Sequence, residues 1–179
     1  YEITSLILGS CDPEKTSIGD YFLNFTYYDN YIQTWKLCGL KYVKSVGNNF
    51  MSYYLWRDSG SYNGDIDLTG LSSLTTTGSL FMQNNVCIRG VDFSTWVNYT
   101  TASATDVYYM YKTENITWLK LPTYNATLAS LRCLSWGAVS YIKWNGGKFY
   151  VPKGTVSQWL EGFNRASTTK VDAGDFIEY

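Results

Sequence analysis

The side chains able to do chemistry in this chain are few in kind. The sequence contains no histidine, which removes the commonest acid, base and metal ligand near neutral pH and with it any Ser-His-Asp arrangement. Cys11, Cys38, Cys87 and Cys133 stand too far apart for the paired short spacings of a zinc site or a redox motif. They read either as small buried hydrophobes or as two disulfides whose pairing the spacing leaves open. Asn145-Gly146-Gly147 reads as a turn and not as a phosphate loop. Carboxylates remain. Asp65 and Asp67 should project from one face of an extended segment, with Asp58 nearby in sequence, the raw material of a Ca²⁺ site or an acid pair. Nothing else in the chain supplies the remaining oxygens or a buried acid, so these are expected to be solvated strand-edge charges. The expectation is therefore a protein that is not an enzyme, with no catalytic residue, no metal and no cofactor. Sequons begin at Asn24, Asn98, Asn115 and Asn125, about the number chance gives in a chain so rich in Asn, Ser and Thr.

The elements that would carry such residues have to form within 179 residues, 45% of them apolar and 18% aromatic, which is enough for one core. Fourteen basic residues against fifteen acidic ones, scattered without a run, argue against nucleic acid or an anionic membrane surface as a partner. No stretch approaches the 18 or so apolar residues of a membrane span. The first ten residues lack the layout of a signal peptide. Because the chain starts at Tyr1, it reads as a processed product or a segment of something longer.

Large apolar residues recur at relative positions 1, 4 and 6, with a turn-type or small residue often at 9: Ile3-Leu6-Leu8, Phe22-Phe25-Tyr27, Phe50-Tyr53-Leu55, Thr77-Leu80-Met82, Thr105-Tyr108-Met110 and Leu128-Leu131-Cys133. A second run follows most of them, in Ile32-Trp35-Leu37, Asn63-Ile66-Leu68, Ile88-Val91-Phe93, Ile116-Leu119-Leu121 and Val139-Ile142-Trp144. Alternating apolar positions suit short strands, and an Asn near position 9 can bond backbone where the chain turns. Two such runs per unit predict flattened coils that bury their interior by stacking. An ordinary β-sandwich is the alternative, since frequent short strands with polar turns suit it as well.

These residues resemble leucine-rich repeats, most closely the irregular BspA-like class of bacterial surface and phage-type repeat proteins. The best stretches are Asp65–Leu74, similar to that family's turn-and-restart, and Ile116–Leu121, similar to its second strand. The Lys148–Pro152 stretch followed by Trp159 is similar to its closing segment. Aromatics in place of many leucines, and uneven unit lengths, depart from the family pattern. The resemblance implies a mostly β solenoid of about six irregular repeats over 1–147, a strand-helix cap over 148–165, and surface adhesion as the role. In the cap, Val156, Trp159, Leu160 and Phe163 fall on one helical face, with Thr155 as N-cap. The tail, 166–179, is polar and expected to be partly loose.

Stacked coils would align strand positions 5 and 7 into one wall, presenting Tyr28, Tyr54, Trp56, Phe81, Tyr109 and Tyr111, with Arg132 at its border. Aromatic rings suit sugar rings and protein hot spots. The leading expectation is an extracellular recognition module, on a cell or virion surface, binding a protein or glycan through that aromatic face. The alternative is a structural subunit of a phage tail fibre or surface filament, with the same face buried in a homo-oligomer. A carbohydrate-active enzyme using Asp58, Asp65 or Asp67 is a third class, for which no activity is expected.

Overall fold

The computed structural model describes residues 5–7, 12–24, 34–37, 39–52, 64–85, 88–102, 110–130 and 137–179. The chain alternates between two parallel sheets. Strands β1 (Ser5–Ile7), β3 (Thr34–Lys36), β5 (Gly64–Asp67), β7 (Ile88–Asp92) and β9 (Trp118–Lys120) lie side by side in that order, and β10 (Lys148–Val151) and β11 (Phe176–Glu178) extend them to a seven-stranded sheet. Strands β2 (Ser17–Ile18), β4 (Ser45–Val46), β6 (Thr76–Thr77) and β8 (Thr101–Ala102) form a four-stranded parallel sheet. Among the described residues three α-helices accompany the sheets: α1 (Ala126–Ser130), α2 (Val139–Trp144) and α3 (Val156–Ala166).

This mixed α/β architecture corrects the expected fold class. The chain is neither a leucine-rich-repeat-type solenoid of mostly β structure nor a β-sandwich. Two observations overturn those readings. Helices replace strands in the last two units, since Leu128 lies on α1 and Val139 and Ile142 on α2. Further, Phe50, Leu80, Met82 and Met110, expected on strands, lie in turns. Leu80, Met82 and Met110 have φ of 60°, 53° and 52°, as do Tyr21, Leu23, Asn49 and Met51 at 61°, 53°, 57° and 51°. Left-handed backbone at bulky residues is uncommon and costs about 1–2 kcal/mol each, so these corners are held by backbone hydrogen bonds and, at Met51, Met82 and Met110, by full burial. Met51 N donates to the Phe22 carbonyl at 2.9 Å and Met82 N to the Phe50 carbonyl at 2.8 Å.

The second apolar runs do supply strands β3, β5, β7 and β9. Asp67 ends β5 by accepting from Thr69 N at 2.9 Å and Thr69 Oγ1 at 2.5 Å, and Asp92 ends β7 by accepting from Ser94 N at 2.8 Å. An aspartate followed two residues later by Ser or Thr turns the chain off the strand in each case. Asn85, at a ninth position, is buried and donates its Nδ2 to the Met51 carbonyl at 2.7 Å.

The core runs between the sheets. Ile66, Val91, Leu119, Phe149 and Phe176 point inward from neighbouring strands of the seven-stranded sheet and are buried. An aromatic column of Phe22, Phe50, Phe81, Trp96 and Tyr99 has successive ring centroids 5.2–5.6 Å apart. Tyr99 shares a 2.6 Å hydrogen bond between its hydroxyl and that of Thr77, as a buried phenol requires. Helix α3 buries Trp159 and Phe163, and Phe163 packs 5.2 Å from Phe149. Thr155 precedes α3 but turns its hydroxyl back to the Pro152 carbonyl at 2.7 Å instead of capping it. The C-terminal stretch is not a loose tail. It returns as β11, parallel to β10, and Lys143 pairs with Asp172 at 2.8 Å and Asp175 at 2.7 Å to hold the preceding turn.

Candidate functional site

The outer face of the seven-stranded sheet is built from residues that alternate with the inward row. One register row runs Asp65, Gly90, Trp118, Lys148, and the next runs Lys36, Asp67, Asp92, Lys120, Tyr150, Ile177. Strand period 2 fixes this split, because Ile66, Val91 and Leu119 between them are committed to the core. Asp65 and Asp67 both project outward from β5, Asp65 exposed and Asp67 half-buried.

Trp118 organises the face. It sits on β9, and its indole crosses β7 to donate from Nε1 to Asp65 Oδ1 on β5 at 3.2 Å. Gly90 makes that path possible. A Cβ there would clash against the face of the indole, nearest to Cε2 and then to Nε1 and Cδ2. The indole therefore lies flat on the Gly90 backbone, with its other face turned away from the sheet. Tyr150 stands beside it, centroid 6.4 Å away and 86° out of plane. Below this pair, Lys120 Nζ reaches Asp92 Oδ2 at 3.5 Å and lies 4.7 Å over the Tyr179 ring. Tyr179 donates its hydroxyl to the Leu121 carbonyl at 2.9 Å. Partial burial, then the nearby Asp92 charge, push the Tyr179 hydroxyl above its ordinary pKa, so it remains a neutral donor. The assembly is a flat ring, an upright ring and carboxylates brought together from β5, β7, β9 and β10.

The residues expected to form an aromatic wall are distributed differently. Tyr28, Tyr54, Trp56, Tyr109 and Arg132 lie outside the described residues, as do Asp58 and the four cysteines. Phe81 is fully buried, edge-on to Trp96 and stacked on Phe50, so its ring belongs to the core and not to an outer surface. Tyr111 is half-buried in a turn, with Lys112 Nζ 5.8 Å from its ring centroid. Gly90, Asp92, Trp118, Lys120 and Tyr150 went unremarked as site residues in the sequence. Their signal was available in Thr-Trp-Leu-Lys, where Trp118 and Lys120 occupy the positions between inward residues. A second aromatic pair, the half-buried Tyr141 and the exposed Trp144, lies on α2 with centroids 5.4 Å apart. Burial, with Glu114 and Tyr111 nearby, raises the Tyr141 hydroxyl pKa.

Among the described residues no group of three or more Cys, Asp or Glu is placed to hold a metal ion, and no helix is long and apolar enough to cross a membrane. The chain matches no family model, and no curated protein or solved structure matches it. The surface-adhesion and phage-tail-fibre roles were tied to the solenoid reading, which the α/β fold overturns, and they are not carried further.

Proposed function

We propose that this protein is a noncatalytic recognition module that binds its ligand on the outer face of the seven-stranded sheet. The observation that carries this reading is the Trp118 indole, held flat on Gly90 and pinned at its N–H by Asp65. An aromatic ring ordered before binding loses little entropy when a ligand covers it. The carboxylates support binding over bond cleavage, since Asp65 is engaged by Trp118 and Asp92 by Lys120. The test is a binding screen of the whole chain against immobilised oligosaccharides and a displayed peptide library. Trp118→Ala combined with Tyr150→Ala should abolish the binding found, whereas Tyr141→Ala combined with Trp144→Ala should leave it intact. Binding lost only in the second variant would move the site to α2 and overturn this assignment.

A further inference from the structure

We infer that the ligand of this face is a carbohydrate, whose pyranose ring stacks on the outward face of Trp118 and hydrogen-bonds to Asp65; this rests on the recognition reading above. A pyranose has an apolar patch of C–H groups on one face and a rim of hydroxyls in the ring plane. Its complement is a flat aromatic floor with acceptors at the level of that floor. The outer face of the sheet has this form. The indole cannot sink further, because the Gly90 backbone lies directly beneath it. Asp65 is exposed and meets the indole edge at 3.2 Å, which places a charged acceptor beside a ring stacked above. A hydrogen bond to a carboxylate is among the stronger kinds available to a hydroxyl. Tyr150, 86° out of plane, bounds the floor on the opposite side from Asp65 and limits how a ring can slide along it.

A peptide hot spot would fit this face less well. Protein interfaces concentrate energy in desolvated apolar pockets, whereas the row next to the indole is Lys36, Asp67, Asp92 and Lys120, with charges of both signs. Hydroxyl-rich ligands tolerate such a border because each charge can take a hydroxyl in place of water.

The experiment follows the Trp118 indole N–H resonance, assigned by its loss in Trp118→Phe, while the whole chain is titrated with β-linked gluco-, galacto-, manno- and N-acetylglucosamine-configured tetrasaccharides. At least one series should shift that resonance saturably. Asp65→Ala should weaken the same binding by about tenfold, and Trp118→Ala should remove it while the remaining amide spectrum stays folded. If no tetrasaccharide moves the resonance but a displayed peptide does, the carbohydrate assignment is overturned and the recognition reading stands. If saccharides and peptides all leave this face unperturbed, both are overturned.

Discussion

Phe81, in a turn, and Trp118, on β9, are aromatic residues put to opposite uses. Phe81 is wholly enclosed between Phe50 and Trp96, and every face of its ring meets protein. Trp118 covers a glycine with one face and turns the other outward, pinned by a carboxylate and flanked by Tyr150. The inner ring contributes by leaving water. The outer ring contributes by being fixed in place beside it. Aromatic content alone therefore does not say whether a ring is core or surface; its neighbours do.

The strongest way to test this contrast is truncation of each ring. Phe81→Ala opens a cavity in the middle of the aromatic column and should cost about 3–5 kcal/mol in a denaturant midpoint measurement, a large part of the stability of a domain this size. Trp118→Ala should cost far less, and a comparable loss would show that the outer ring is structural. Next, Gly90→Ala places a methyl group where the indole lies. The indole is on the surface and can swing away, so stability should change by about 1 kcal/mol or less, while the Trp118 N–H resonance loses its Asp65-bonded shift. An unchanged resonance would refute the account of Gly90.

A smaller effect tests the strained corners. Tyr21 is 64% exposed with φ 61°, so little packing offsets its left-handed backbone. Tyr21→Gly should be neutral or stabilise by up to about 1 kcal/mol in the same melt, whereas Met51→Gly, fully buried at φ 51°, should destabilise. The smallest expected effect is at the C-terminal turn. The hydrogen bond from Lys143 lowers the Asp172 pKa, and those to Asp172 and Asp175 raise that of Lys143. A depressed carboxylate contributes stability above its unfolded pKa and loses it as pH falls through the folded value, and a raised lysine loses its contribution as pH climbs through its own. Amide exchange in β11 should therefore quicken at pH below the ordinary carboxylate range and again above that of lysine. Being exposed, the Asp172 pair should also weaken with salt. A flat exchange profile across both limits would show that β11 is held by its ladder alone.

Much of the burial was legible in the sequence. The second apolar runs marked Ile66, Val91 and Leu119, and the period of α3 marked Trp159 and Phe163, because side-chain period follows directly from backbone geometry. The site was legible in part. Asp65 and Asp67 were placed on one strand face, yet the partner of Asp65, Trp118, is 53 positions away along the chain. The strand assignment of the first runs failed at Leu80 and Met82, since apolar spacing reports which residues are buried and not the sign of φ.

By itself the sequence determined much of which residues leave water, the one-sided face of α3, and that histidine-based chemistry is absent. The tertiary structure alone decided that Phe81 lies inside, that the last units become helices and that the C-terminal stretch closes the sheet as β11. It also decided that the face around Trp118 is a platform. The reason is that a parallel ladder joins segments about 25–30 residues apart, and the space above Gly90 exists only once β5, β7 and β9 are in register. No local propensity encodes that register.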